Sequence, residues 1–184
     1  TLEDYVNQGA FHETRAKPET ISETDVELKR LKEENPSEFL KRAVASRKNI
    51  IVSGSTGSGK TTLMRSLVDL IPDHERLISV ENVDEMGLYK SHSNAISLFY
   101  SAGSQGQASI SQKELIESAL RMNPDRVFVA ELIRGEEAFY FLRNVNSGHP
   151  GSITSMHAGS PKLAIEQLVL FIKESVGSSL SRDD

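Results

Sequence analysis

The chain has 184 residues, of which 38% are hydrophobic and 26% are charged, and its formal net charge is −5. This length suits one domain with a real core. The acidic balance argues against a bulk nucleic-acid binder, because duplex affinity comes mostly from lysine and arginine on phosphates, and we expect no sequence-specific nucleic-acid binding. The sequence has no cysteine, which excludes disulfides and thiolate metal sites.

The first 35 residues differ in composition from the rest of the chain. They lack an initial methionine, and they lack the basic start and apolar block of a signal peptide. Residues 12–35 are polar and carry charges of both signs, with residues 24–34 predicted as an exposed helix. We therefore expect residues 1–35 to be an N-terminal segment and linker from a missing domain, and residues 36–184 to form the main domain, truncated at its C-terminal end.

From residue 36 onward, short apolar runs alternate with amphipathic stretches. Ser37 is predicted to cap the first helix, and Ser111 with Glu114 forms a capping-box pattern ahead of a later one. Strands are predicted at residues 49–53, 77–80, 95–100, 127–130 and 152–156, and further helices at 60–70, 111–122, 135–144 and 162–174. This alternation predicts an α/β fold with a mainly parallel sheet and helices on both faces.

One segment carries a strong chemical signal. Residues 54–62 read GSTGSGKTT, between the first predicted strand and the helix after it. In the pattern G-x-x-x-x-G-K-T the glycines let backbone N–H groups surround phosphate oxygens at a helix N-terminus. Lys60 adds a point charge for the β- and γ-phosphates, and the Thr61 hydroxyl can ligate Mg²⁺. The predicted phosphate-binding set is Gly54, Ser55, Thr56, Gly57, Ser58, Gly59, Lys60, Thr61 and Thr62.

Two glutamates follow predicted strands and are candidates for the same site. Glu131 follows the fourth strand, where a carboxylate can hold the metal, whereas Asp125 precedes that strand and belongs at the far end of the sheet. Glu81 follows the second strand and is expected to point into the same crevice, where it would orient or deprotonate water. Asp84 and Glu85 are interpreted as surface charges.

His157 falls at the end of the last predicted strand, again on the crevice side. A neutral imidazole there can donate a hydrogen bond to a γ-phosphate and lose it after hydrolysis, which would make it a switch element. His149 and His157 do not suit zinc, because they are separated by a strand and no third ligand is nearby. We expect the remaining histidines, His12, His74 and His92, to lie on the surface.

Taken in order, these segments resemble one family, the traffic ATPases of bacterial type II and type IV secretion and of type IV pili, and most of all its type IV secretion branch. GSTGSGKTT resembles the family's Walker A motif, and LISVENVDEM at 77–86 resembles its Asp box. ALRMNPDRVFVAELIRGEEA at 119–138 resembles its Walker B region, and GHPGSITSMHA at 148–158 resembles its His box.

This resemblance implies a RecA-like P-loop NTPase domain that uses ATP and Mg²⁺. It implies a motor that energises type IV secretion, by translocating DNA or protein and by assembling the machine. By the same resemblance Glu81 would be the catalytic carboxylate and Glu131 the metal-side carboxylate. His157 would sense the γ-phosphate with support from His149, and Arg134 would lie near a subunit boundary.

The resemblance also implies partners and a location. The family works as a hexameric ring at the cytoplasmic face of the bacterial inner membrane, so we expect a cytoplasmic protein peripheral to that membrane. Its partners would be further copies of itself and secretion-system components. The family's own N-terminal domain, or that of a neighbouring subunit, would complete the nucleotide site.

Two departures and two alternatives stay open. Asn82 stands where the Asp box usually has aspartate, and Glu131 and Arg134 are one residue further apart than is common in the family. One alternative is a phosphotransferase acting on a small acceptor, which would use an arginine-bearing lid, although residues 101–110 contain no arginine. The other is a nucleotide-gated structural ring with little hydrolysis.

Overall fold

The structure is a computed structural model that describes residues 21–101, 110–146 and 148–176, with Glu136 and Val176 described through their backbone alone. The chain divides into two compact units, Thr1–Phe39 and Leu40–Asp184. The expectations for residues 1–20, His12 among them, and for the C-terminal residues 177–184 lie outside the described residues.

The first unit contains helix α1, Glu23–Glu34, in agreement with the predicted helix at 24–34. Its N-cap is Ser22, whose hydroxyl oxygen accepts a hydrogen bond from the backbone N–H of Asp25. Helix α2, Pro36–Ala45, starts one residue before the predicted cap. The side-chain oxygen of Asn35 accepts from the backbone N–H of Glu38 at 3.2 Å, so Asn35 caps α2 and the prediction of Ser37 was wrong.

The described part of the second unit contains five strands: β1 Ile50–Ser53, β2 Leu77–Glu81, β3 Ala95–Phe99, β4 Arg126–Val129 and β5 Ile153–Met156. Its further helices are α3 Lys60–Val68, α4 Gln112–Leu120, α5 Gly135–Asn146 and α6 Pro161–Val176, and a short 3₁₀ turn covers Leu88–Lys90. The predicted capping box of Ser111 and Glu114 is present at the start of α4. None of the described helices is both long and apolar enough to cross a membrane.

The five described strands form one parallel sheet in the order β1-β5-β4-β2-β3. Their carboxyl ends therefore share one edge, where the loops after β1, β2, β4 and β5 meet. The strand register brings these ends level with one another, because Ser53 lies opposite Met156 and Val80 lies opposite Val129. The predicted α/β architecture with a parallel sheet is confirmed.

Both faces of the sheet are covered, as predicted. Along β2, Leu77 and Ile78 are fully buried in different core clusters, because successive side chains of a strand point to opposite faces. One cluster joins the sheet to Ile116 of α4, Phe141 of α5 and Leu168 of α6. The other joins it to Val44 of α2 and Leu67 of α3.

A buried ion-pair cluster lies at the amino edge of the sheet. Arg126, the first residue of β4, is 1% exposed and donates from Nε to Glu75 at 2.7 Å, and Arg47 approaches the same carboxylate at 3.3 Å. Burial alone would raise the pKa of Glu75, but the hydrogen bond and charge of Arg126 outweigh it and leave that pKa lowered. Asp125 lies at this edge too, as expected, and accepts from the backbone N–H of Arg76 at 2.7 Å.

The two described histidines that we expected on the surface differ in their exposure to solvent. His74 is exposed, in agreement with the expectation. His92 is only 3% exposed, and its Nε2 lies 2.9 Å from the carbonyl oxygen of Ile71. The prediction for His92 was wrong because this carbonyl gives the ring a polar partner in the interior, which removes most of the cost of burying it.

Candidate active site at the carboxyl edge of the sheet

The loop between β1 and α3 has the conformation that its glycines permit. Gly57 and Gly59 adopt positive φ angles of 76° and 86°, a region that disfavours other residues. A side chain at Gly54 would collide with the hydroxyl of Ser58. The loop is tied to the neighbouring strand, because the N–H of Gly54 donates to the Met156 carbonyl at 3.3 Å.

Lys60, the first residue of α3, points back into this loop. Its ammonium nitrogen donates to the carbonyl oxygens of Gly54 at 2.9 Å and Ser55 at 3.1 Å. The same nitrogen lies 3.5 Å from Nδ1 of His157, which follows β5. The loop thus holds a positive charge next to the N-terminus of α3, where the helix dipole also favours an anion.

A cavity of about 440 Å³ opens at this point. It is lined by Thr56, Gly57, Gly59, Lys60, Thr61, Thr62, Glu85, Glu131, Ser155 and His157. Eight of these were predicted as site residues, and Glu85 and Ser155 were not. Of the predicted loop residues, Gly54 and Ser55 contribute by binding Lys60, and Ser58 closes a turn through its N–H to the carbonyl of Ser55 at 3.2 Å.

Two predicted residues from adjacent strands meet in the cavity. Glu131 lies just beyond β4 and His157 just beyond β5, and Oε1 of Glu131 is 2.9 Å from Nε2 of His157. The side chain of His157 is half exposed and that of Glu131 is 29% exposed, so both are open to a ligand. Lys60, His157 and Glu131 therefore form a continuous chain of polar contacts across the cavity.

The structure does not bring Glu81 into this cavity. Its side chain is fully buried, and its carboxylate accepts hydrogen bonds from the hydroxyl of Ser79 and from the backbone N–H groups of Glu85 at 2.9 Å and Met86 at 2.8 Å. These donors occupy the carboxylate that we expected to face the phosphates. Glu81 therefore holds the following loop instead, which corrects the sequence expectation.

Glu85 takes the place that we assigned to Glu81. Residues 82–87 form a series of bends. Within them, Oε2 of Glu85 lies 3.5 Å from the hydroxyl of Thr61 and the side chain lines the cavity. The sequence contained one signal for this, since Glu85 closely follows a strand that ends at the binding edge. Glu85 is exposed, as expected for a surface charge, and its side chain also lines the cavity beside Thr61.

The donor atoms around Thr61 suit Mg²⁺. Among the described residues, no three histidine, aspartate or glutamate side chains are grouped as a protein-only metal site. The cavity instead offers the hydroxyl oxygen of Thr61 and the carboxylates of Glu85 and Glu131. Mg²⁺ prefers such hard oxygen ligands, and it usually keeps several waters and binds through one or two protein groups together with substrate phosphates.

A second cavity of about 360 Å³ adjoins the first and shares Glu85 and Glu131 with it. Asn82 and Arg134 line this second cavity. The carboxylate of Glu137 accepts hydrogen bonds from the backbone N–H groups of Ile133 at 2.9 Å and Arg134 at 3.0 Å. Glu137 therefore caps the turn that contains Arg134. The side chain of Arg134 is exposed.

His149 lies at the other edge of the sheet. It precedes β5, and the loop that it begins is tied to the amino edge, where Asn49 accepts from the N–H groups of Gly151 at 3.0 Å and Ser152 at 3.2 Å. Since His157 follows the same strand, the length of β5 separates the two histidines. The expectation that His149 contributes to the nucleotide site is therefore not supported by its position.

Comparison with known proteins places this geometry in a family. The family described as "Type II/IV secretion system protein" matches residues 15–178. The type IV secretion system protein VirB11 of Bartonella quintana (strain Toulouse) is 52% identical over 147 residues, which are 79% of this chain and 40% of that protein. VirB11 of Brucella suis biovar 1 is 44% identical over 178 residues, 95% of this chain and 49% of that protein.

A solved structure supports the same family assignment. The crystal structure of the VirB11 ATPase from the Brucella suis type IV secretion system in complex with sulphate superposes with a TM-score of 0.82 at 44% identity, covering 94% of this chain and 51% of that one. This match confirms the RecA-like P-loop fold. The chain spans at most about half the length of the curated relatives described here. It belongs to the type II/IV secretion system protein family.

Proposed function

We propose that this chain is the ATP-binding and ATP-hydrolysing motor domain of a type IV secretion ATPase. The observation that carries the proposal is the meeting of Lys60, Glu85, Glu131 and His157 in one cavity beside a phosphate-binding loop. These residues come from the ends of four different elements, and open parallel sheets bind ligands at this edge. The relatives named VirB11 support the assignment to type IV secretion.

Binding would rest on the loop and on α3. The backbone N–H groups of residues 54–59 and the N-terminus of α3 would surround the β-phosphate. Lys60 already sits inside the loop, where its ammonium group would exchange the two carbonyl acceptors for phosphate oxygens. Thr61 and Glu131 would hold Mg²⁺, which would neutralise charge on the phosphates when bound.

Hydrolysis would rest on the carboxylates and the histidine. The side chain of Glu85 lines the cavity, where a carboxylate can accept a proton from water. We therefore assign it the role of orienting or deprotonating the attacking water. Nε2 of His157 lies against the Glu131 carboxylate, and its N–H would turn from that carboxylate to the γ-phosphate when ATP is bound and return after cleavage. Glu81 would act through Glu85, as a residue that positions the loop.

The larger assembly is part of the same proposal. We infer a hexameric ring of copies of this protein, which would sit on the cytoplasmic side of the bacterial inner membrane with other secretion components. Residues 1–35 would link this domain to an N-terminal domain, which would complete the nucleotide site in its own or a neighbouring subunit. The domain proper would span residues 36–184. Arg134, which is exposed, would lie near a subunit boundary.

Release of inorganic phosphate from ATP tests the proposal. With Mg²⁺ and no acceptor added, a motor domain is expected to release phosphate continuously, and Lys60→Ala is expected to slow this release strongly by weakening nucleotide binding. Transfer of the phosphate to a small acceptor, with no release in its absence, would favour a phosphotransferase. Binding of ATP with no turnover, both alone and with the N-terminal domain supplied, would favour a structural ring.

A further inference from the structure

One face of α3 contacts Glu85 twice. Thr61 and Arg65 are four residues apart, a spacing that places both on the same side of a helix. The hydroxyl of Thr61 lies 3.5 Å from the Glu85 carboxylate, and Nε of Arg65 donates to the Glu85 carbonyl at 2.6 Å. The helix that begins at the phosphate-binding loop thus contacts both the side chain and the main chain of Glu85.

Glu81 makes a third contact with the same residue. Its buried carboxylate accepts from the N–H of Glu85 at 2.9 Å, while the N–H of Met86 donates to the same oxygen at 2.8 Å. Glu85 is therefore fixed through its N–H by β2 and through its carbonyl by α3. The peptide unit between Glu85 and Met86 is bonded at its carbonyl to Arg65 and at its N–H to Glu81, which fixes the direction of the Cα–Cβ bond of Glu85.

We propose that Arg65 is a positioning residue for ATP hydrolysis, which, together with Glu81, locks the backbone of Glu85 so that its carboxylate stays over Thr61. The inference rests on the proposed function, because Glu85 must act on the reaction for its position to matter. It adds a residue outside the motifs that led to the site, since Arg65 follows the glycine loop and lines neither cavity described above.

The chemistry of arginine suits this role. The guanidinium group is always charged and presents its N–H groups in a rigid fork, so a hydrogen bond from Nε fixes direction as well as distance. Because Arg65 stands one turn after Thr61, the helix that begins at the phosphate-binding loop also carries the bond to the Glu85 carbonyl. A displaced catalytic group is costly, since an error of about 1 Å in placement can reduce the rate about 100-fold.

Arg65→Gln tests whether Arg65 positions Glu85 or only supports the fold. The matched control is Arg121→Gln, because Arg121 is an exposed arginine at the end of α4. For Arg65→Gln we expect kcat to fall roughly 10- to 100-fold while the dissociation constant for ATP stays within about twofold. Arg65→Lys is expected to recover part of the loss, and added guanidinium ions at millimolar concentration are expected to raise the rate of Arg65→Ala. An unchanged kcat, or a loss of affinity equal to the loss of rate, would overturn the role.

A second readout does not depend on turnover. Amide hydrogen exchange in residues 82–87 is expected to accelerate in Arg65→Gln and not in Arg121→Gln, because the tether of the Glu85 carbonyl is lost. Unchanged exchange in that segment would contradict the proposal. Glu85→Gln separates the two hypotheses: if it hydrolyses ATP normally, the proposed function of Glu85 fails, whereas an inactive Glu85→Gln beside a fully active Arg65→Gln overturns only the positioning role.

Discussion

The carboxylate of Glu131 lies 2.9 Å from Nε2 of His157, and Nδ1 of the same ring lies 3.5 Å from the ammonium nitrogen of Lys60. One imidazole therefore stands between the cation of the phosphate loop and the carboxylate at the end of β4. A ring held at both nitrogens responds to whatever displaces either partner. Phosphate entering beside Lys60 would do so, and we therefore predict that the ring responds to bound nucleotide.

Replacing His157 by glutamine is expected to reduce kcat more than it weakens ATP binding. The lost hydrogen bond to a charged group corresponds to about 1.5–3 kcal/mol, or roughly 10- to 100-fold in rate. Steady-state phosphate release and equilibrium ATP titration would measure the two effects, with the exposed His74→Gln as control. Weaker ATP binding with an unchanged kcat would show that His157 contributes equally to the ground state and the transition state, and would contradict the switch role.

Lys60→Ala is expected to weaken nucleotide binding by about 2 kcal/mol or more, because charge-assisted bonds to phosphate are the strong ones in such a site. Calorimetric titration with ADP and with ATP would measure it. Lys173→Ala is a suitable control, since Lys173 lies in the last turn of α6, away from the binding edge. Unchanged affinity in Lys60→Ala would show that the glycine loop does not hold the phosphates.

Gly135→Ala is expected to destabilise the fold without touching the site. A Cβ at Gly135, the first residue of α5, would collide with the main-chain carbonyl of Phe171 in α6, whose backbone cannot yield as a side chain can. Overpacking of this kind costs about 1–3 kcal/mol. At Gly159 the added Cβ would meet only the side chain of Leu163 at 3.8 Å, so Gly159→Ala is the control. Urea unfolding of both variants would measure the difference, and equal stabilities would contradict the contact.

The buried pair of Glu75 and Arg126 predicts a particular dependence on pH. The pKa of Glu75 is lowered from its ordinary value of 4.5, so its ionised form stabilises the fold above that pH and the contribution is lost as pH falls through the lowered value. Glu75→Gln leaves the charge of Arg126 unpaired and is expected to cost about 3–5 kcal/mol near neutral pH. The gap between variant and wild type is then expected to shrink in acid.

Urea unfolding between about pH 7 and about pH 3 would check this expectation. Asp73→Asn, at an exposed carboxylate near Glu75 in the chain, is the control and is expected to change little. If the gap between Glu75→Gln and wild type stayed constant down to the lowest pH, the ionised carboxylate of Glu75 would not be what stabilises the pair.

Much of the binding half of the site could be predicted because it is local in sequence. The glycine loop needs a strand before it and a helix after it, and both are encoded in consecutive residues. The strand ends near Glu131 and His157 could be predicted for the same reason, since a parallel sheet brings all carboxyl ends to one edge. The order of the strands could not, because it depends on long-range pairing that no local pattern contains.

For the two carboxylates after the second predicted strand, the sequence located the region correctly and left the direction of each side chain open. Glu81 ends β2 and Glu85 follows it, and the spacing alone did not indicate which carboxylate would face the nucleotide cavity. The structure resolves the choice through the N–H groups of residues 85 and 86, which capture the carboxylate of Glu81 and leave Glu85 facing Thr61. His149 could have been excluded from the sequence alone, because it precedes a parallel strand whose other end carries His157.

Glu85 is proposed to act on a triphosphate held beside Lys60, and the rate of phosphate release by Glu85→Gln at saturating Mg²⁺ and ATP tests this role most directly. The control is Asp84→Asn, which keeps the oxygen that accepts from the N–H of Gly87 at 3.2 Å. We predict that Glu85→Gln binds ATP as tightly as the wild type and releases phosphate at least about 100-fold more slowly, while Asp84→Asn stays active. Wild-type turnover by Glu85→Gln would contradict the account.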